Sequence, residues 1–173
     1  EIFIYGNADD GSQFNISGGT FEMNDSNIST YPAMSDGDNS QKGAAMTVSG
    51  GTFKMNESSL GRENSGDLDI SGGEFTLENG SAIFHDGETG DINISGGTIS
   101  LKDSSIIRGG DYQSEDGKPA SGNINITGGT INVSGSSAEI ASVGNIKIAN
   151  GAELNIALGS TLFAKAFTED MSQ

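Results

Sequence analysis

Ile92-Asn93-Ile94-Ser95-Gly96-Gly97-Thr98-Ile99-Ser100-Leu101 is one of six copies of a single phrase in this chain. Ile92 and Ile94 alternate with Asn93 and Ser95, so apolar and polar side chains fall on opposite faces of an extended segment. Gly96-Gly97 interrupts the run, as glycine does where φ turns positive or backbones pass closely. Ile99 and Leu101 resume the alternation, and Ile106-Ile107 supplies a third apolar point after Asp103-Ser104-Ser105. The other copies begin at Phe14, Met46, Leu68 and Ile124, with a decayed sixth at Ile146. One copy cannot bury its own apolar face, so the copies must stack.

Aligning the copies gives columns. Phe21, Phe53, Phe75, Ile99 and Ile131 form one; Met23, Met55, Leu77, Leu101 and Val133 form the next. The first-strand columns run Phe14, Met46, Leu68, Ile92, Ile124, Ile146 and Ile16, Val48, Ile70, Ile94, Ile126, Ile148. Such columns predict parallel strands about 4.8 Å apart, apolar columns inside and polar ladders outside. From one Gly pair to the next the spacing is 32, 22, 24, 32 and 22 residues. That variation does not suit a hexapeptide helix, and the Leu and Asn scaffold of a leucine-rich repeat is missing. Propellers and sandwiches need hairpins, of which the columns give no sign. The pattern predicts an all-β, right-handed parallel β-helix of about six coils with three short strands each. It forms one domain over 1–173, with 159–173 as an end cap or incomplete coil. Leu154 to Phe163 reads as the remainder of a seventh coil, and the chain as a piece of a longer polypeptide.

Two coils are long at the same corner. Residues 29–43 follow the third strand of the first, and residues 108–122 follow that of the fourth. Each carries a Tyr, an Asp-Gly, a Lys and a Pro. Three coils apart, they are expected to protrude from one side about 14 Å from each other, and long loops on rigid scaffolds carry binding. Tyr31 and Tyr112 are the candidate sugar-stacking residues, joined by Asp36, Asp38, Asp111, Glu115 and Asp116 as candidate ligand contacts. No cofactor is required by the pattern. Calcium is the inorganic ligand these loops could hold, through Asp36, Asp38, Asp111, Glu115 and Asp116, since it takes six to eight oxygens.

Composition bounds the partners. Twenty-four acidic against eight basic side chains give a net charge of −16, which repels nucleic acid and anionic membranes. No apolar run reaches the ~20 residues of a membrane span. Without cysteine there is no disulfide framework or thiolate site.

The phrases Ser17-Gly18-Gly19-Thr20-Phe21-Glu22-Met23-Asn24 and Ser49-Gly50-Gly51-Thr52-Phe53-Lys54-Met55-Asn56 resemble repeats of pectate-lyase-like right-handed β-helix adhesins of bacterial surfaces. The resemblance covers residues 12–158. It implies an extracellular or cell-surface location and a non-catalytic role. Polysaccharide or a host or neighbouring-cell surface would be the partner, with self-association through the ladders as a further mode.

The residues argue against catalysis. A lyase of this fold needs several carboxylates on the first sheet, where the outward column Asn15, Thr47, Asp69, Asn93, Asn125, Lys147 holds one. Arg62 and Arg108 fall at third-strand corners. The single histidine, His85, precedes Asp86-Gly87 and reads as an exposed turn residue, with no nucleophile motif beside it. The alternatives in other classes are a polysaccharide-lyase-like fragment, a calcium-dependent polysaccharide-binding module and a plain structural stalk. The eight Asn-x-Ser/Thr sequons follow from the ladder pattern without glycosylation.

Overall fold

The alternating stretches form strands where the columns place them. The computed structural model describes residues 2–6, 13–32, 44–62, 66–86, 90–110 and 122–164. Ahead of the first repeat lies β1 (Ile2–Gly6). The first repeat holds β2 (Gln13–Asn24) and β3 (Asn27–Pro32), and the second holds β4 (Ala45–Asn56) and β5 (Ser59–Arg62). The third comprises β6 (Leu68–Ile70), β7 (Glu74–Glu78) and β8 (Ala82–His85); the fourth, β9 (Ile92–Ile94), β10 (Thr98–Lys102) and β11 (Ile106–Gly109). The fifth has β12 (Ile124–Ile126), β13 (Gly129–Ser134) and β14 (Glu139–Ser142), and the sixth β15 (Ile146–Ile148), β16 (Ala152–Ile156) and β17 (Thr161–Ala164). The described residues are all-β, and every pairing among these strands is parallel.

The strands form two sheets. The third strands make one, in the order β1-β3-β5-β8-β11-β14-β17. First and second strands share the other, in the order β15-β12-β9-β6-β4-β7-β10-β13-β16, with β2 paired to β4. The expectation of three strands per repeat therefore holds from the third repeat onward and fails in the first two. There the glycine pair bends one long strand instead of ending it. The register shifts at Ile16/Ser17 and Ser17/Thr20, and Gly19 and Gly51 sit at φ +99° and +109°. A bulge of this kind turns the strand while the ladder continues on both sides.

The predicted columns are in register. Phe21 pairs with Phe53, Phe53 with Phe75, Phe75 with Ile99 and Ile99 with Ile131. The three phenyl rings stack with centroids 4.6 and 4.5 Å apart, 5° from parallel in both cases. The strand spacing imposes this face-to-face overlap, since identical side chains sit directly over one another. Third strands add Ile28, Leu60, Ile83, Ile107 and Ile140 to the same core, all buried. Leu154 lies in β16 and pairs with Ile131, so the chain there completes the sixth repeat and does not begin a seventh. Thr161 to Ala164 pair with β14; residues 165–173 lie outside the described residues.

Between second and third strands the chain turns through Asp25, Glu57, Asn79 and Asp103, at φ 46°, 49°, 52° and 54°. Asn and Asp tolerate this left-handed region best, through local hydrogen bonding. The serine after each turn faces inward. Ser58 Oγ accepts from the Ser26 amide and donates to the Asn56 carbonyl, and Ser81 Oγ accepts from the Ser58 amide at 3.1 Å. The sequon serines at Ser26, Ser58 and Ser81 thus have structural partners.

Candidate functional site

The corner where each third strand hands over to the next first strand is where the repeats differ in length. Residues 63–67, 86–91 and 143–145 close it briefly, whereas residues 33–43 and 111–121 extend it. The long segments leave the ends of β3 and β11, which lie three pairings apart in one sheet. They return into β4 and β12, three pairings apart in the other. Both segments therefore depart from and return to one side, about 14 Å apart. Asp36, Asp38, Asp111, Tyr112, Glu115 and Asp116 lie outside the described residues. Tyr31 is described: it is half-buried, with its ring set edge-on to Phe3 at 5.6 Å and 73°.

Inside this corner runs a polar column. Along each third strand the inward positions are two apart, so the residue two beyond Ile28, Leu60, Ile83, Ile107 and Ile140 also faces in. These are Thr30, Arg62, His85, Gly109 and Ser142, in register. Thr30, Arg62, His85 and Ser142 are buried, and His85 is wholly so at 0 % exposure. The expectation of an exposed turn histidine is overturned. Strand alternation from Ile83 carries through His85 before the Asp86-Gly87 turn signal takes effect.

Arg62, His85 and Ser142 hold the returning backbone, whereas Thr30 Oγ1 is buried without a hydrogen-bond partner. Arg62 Nη1 donates to the Ala44 carbonyl and, at 3.4 Å, to that of Asp67. His85 Nε2 lies 2.7 Å from the Gly66 carbonyl. A carbonyl only accepts, so Nε2 carries the proton and neutral His85 leaves Nδ1 as a bare lone pair. That Nδ1 is buried without a hydrogen-bond partner. Ser142 Oγ donates to the Gly122 carbonyl at 2.5 Å and accepts from the Gly144 amide at 3.0 Å. Ala44 and Gly122 are the points at which the two long segments rejoin the described fold.

Opposite the column the backbone must be glycine. A Cβ on Gly66, at φ +119°, would stand 2.5 Å from an Arg62 guanidinium nitrogen. On Gly90, at φ +133°, it would stand 2.6 Å from His85 Nε2 and 2.2 Å from the Gly66 carbonyl oxygen. Burial lowers the Arg62 pKa, against the opposing pull of Asp67 and Asp69; arginine remains a cation regardless. Burial is also the largest cause lowering the His85 pKa. The Gly66 carbonyl opposes it, Arg62 reinforces it, and the backbone of His85 itself and Asp67 oppose it again.

Two features lie on the outside. The first is an amide and carboxylate ladder where the first strands begin. Asp91 Oδ1 accepts from the amide and the side chain of Asn123, and Asp91 Oδ2 from Asn125. Asp67 Oδ1 accepts from the Asp91 amide, and Asn123 Oδ1 from the Asn145 amide. The column of Asp69, Asn93 and Asn125 was legible in the repeats, and that of Asp67, Asp91, Asn123 and Asn145 was not recognised. The recurring Gly-Asp and Gly-Asn pairs just before the apolar run were its signal. The second is an open groove of about 590 Å³ over the second strands, lined by Glu22, Asn24, Lys54, Met55, Asn56, Thr76 and Glu78. Lys54 meets Glu22 at 3.5 Å, and Lys102 meets Glu78 at 2.7 Å beside it. Exposed pairs of this kind contribute about 0–1 kcal/mol.

Among the described residues no group of three His, Cys, Asp or Glu side chains is placed to hold a metal ion, and no helix is long and apolar enough to cross a membrane. No family model, no curated protein and no solved structure matches this chain.

Proposed function

We propose that this chain is a right-handed parallel β-helix that serves as a non-catalytic binding module at a bacterial surface or in the extracellular space. It displays residues 33–43 and 111–121 to a polysaccharide or to a host or neighbouring-cell surface. The observation that carries this reading is the three-pairing offset between the ends of β3 and β11, repeated between the starts of β4 and β12. It brings the points where two long segments leave and rejoin the strands to one edge of a scaffold whose other repeats have shorter connections there. Parallel pairing throughout supports the helical winding, and crossovers between parallel strands are right-handed almost without exception. Binding on loops held by a rigid frame is the usual division of labour. Calcium, if it takes part, would engage the loop oxygens of Asp36, Asp38, Asp111, Glu115 and Asp116.

The test exchanges residues 33–43 and 111–121 each for the short connection Glu63-Asn64-Ser65. Retention is then measured on immobilised neutral and uronic-acid polysaccharides and on intact cells, with calcium and with EDTA. The parent chain should be retained and the shortened one should not. Shorter closures should raise stability by roughly 1 kcal/mol, because loop entropy grows with the logarithm of length. Equal retention of both chains would sink this reading. So would retention that falls only when Glu22 and Glu78 in the groove become alanine. Release of unsaturated uronate products would move the chain into the lyase class.

A further inference from the structure

We infer that His85 is an acid-sensitive clasp on the corner that presents residues 33–43, a regulatory device that rests on the display reading above. The side chain is wholly buried, its Nε2–H donates to the Gly66 carbonyl, and its Nδ1 has no partner. Protonating Nδ1 creates a buried N–H and a positive charge; the backbone of His85 itself, the Gly66 carbonyl and Asp67 favour it, and burial together with Arg62 outweighs all three. An unmet buried donor is costly, and an unmet charge more so.

The groups around the imidazole decide where that cost is felt. On β5, one pairing away and in register, stands the buried Arg62 cation. On β11 the facing residue is Gly109, which carries no charge, and the neighbouring Arg108 is engaged by Asp86 at 2.5 Å on the outer side. Asp67 and Asp91 follow Gly66 and Gly90 in the corner, both on the outward ladder. Asp67 favours a charged imidazole, but less than burial opposes it. Two cations on adjacent strands therefore repel in the interior. Arg62 is the side chain that donates to the Ala44 carbonyl, where residues 33–43 rejoin the fold. Gly90 leaves no room for even a Cβ between His85 and the Gly66 carbonyl. Acid should thus loosen the Gly66 and Ala44 corners together. The Gly122 corner, held by the Ser142 hydroxyl, contains no titrating anchor and should not respond.

The direction follows from linkage. His85 has a folded pKa below its unfolded value of 6.5. Its contribution is complete above pH 6.5 and is lost as the pH falls below that, because the unfolded chain takes up the proton first.

His85 is the only histidine in the chain, so its imidazole resonance is unambiguous in an NMR titration of the unaltered protein. The midpoint should lie below 6.5, and the amides of Ala44, Arg62, Gly66 and Gly90 should move with it while Gly122 and Gly144 stay still. In parallel, the melting temperature should fall by roughly 3–5 °C per pH unit below 6.5 relative to His85→Gln, which keeps a donor for Gly66 and cannot titrate. An imidazole that titrates at its ordinary midpoint without moving those amides would overturn the clasp. So would a His85→Gln protein that loses the same stability in acid. Neither readout uses a ligand, so failure here leaves the display reading to its own retention test, and failure there leaves the clasp intact.

Discussion

Gly18 and Gly96 occupy the same position in the repeat and have opposite surroundings. A Cβ on Gly96 would lie 2.3 Å from the Ser71 carbonyl oxygen, and Gly50, Gly72 and Gly128 meet the equivalent serine carbonyl at 2.7, 2.4 and 2.4 Å. Around Gly18 nothing lies within 4 Å. Backbone cannot swing aside as a side-chain tip can, so the cost at Gly96 is that of overpacking. Gly96→Ala should cost about 1–3 kcal/mol, whereas Gly18→Ala should stabilise by ~0.4–1 kcal/mol by restricting the unfolded chain. Urea melts of the two variants check this, and similar shifts for both would show that contact between repeats is not what fixes the glycine. At this scale the sequence was readable wherever a column repeated from copy to copy. His85 was misread because a local turn signal outweighed alternation. The pairs Leu60 with Arg62 and Ile140 with Ser142 mark the same inward position, and reading His85 down that column would have buried it.

Among elements, the serine after the second-strand turn offers a contrast built into the chain. Ser26, Ser58, Ser81, Ser105 and Ala138 form one column, and the carbonyl oxygen of each accepts from the amide at the start of the next repeat's third strand. Ser81 Oγ also accepts from the Ser58 amide and donates to the Glu78 carbonyl at 2.7 Å. Ser105 Oγ is buried with no partner, and the next repeat has Ala138 there. Ser81→Ala should therefore cost about 1–3 kcal/mol by orphaning a buried amide, while Ser105→Ala should be close to neutral. Equal losses in thermal melts would show that the hydroxyl acts through packing alone. The existence and order of the strands were legible from period-two alternation. The merging of first and second strands in β2 and β4 was not, because the same Gly-Gly pair serves as a bulge in two repeats and as a break in the rest. Tyr31 was expected in the loop that follows the third strand and lies instead within β3, because the alternation runs on to Pro32; its edge-on contact with Phe3 joins distant stretches and leaves no mark in either. The ligand contacts expected at Asp36, Asp38, Asp111, Tyr112, Glu115 and Asp116 belong to segments outside the columns, where repetition supplies no register to read.

At the scale of the whole molecule, one interface is repeated, and among the described residues the strands of each repeat pair only with those of its neighbours. Ile126, Val133 and Ile140 in the fifth repeat are exposed by 0, 1 and 0 %, and their register partners Ile148, Ile156 and Leu162 in the sixth by 46, 44 and 43 %. The side chains are chemically alike; among the described residues the sixth repeat pairs on one side only, with the fifth. In a stacked array stability is close to a sum of repeat and nearest-neighbour contributions. A repeat with one neighbour has lost one of its two interfaces, and opening it exposes little further apolar surface. Native-state hydrogen exchange should therefore grade along the chain. Amides of β15 and β16 should exchange fastest, those of β12 and β13 more slowly, and those of β6, β7, β9 and β10 near the global limit. Substitutions should follow the same gradient: Val133→Thr should destabilise more than Ile156→Thr, although the two residues are paired in one column. Uniform protection from β6 to β16 would mean that the array opens as a single cooperative block, and the nearest-neighbour account of its stability would have to be abandoned.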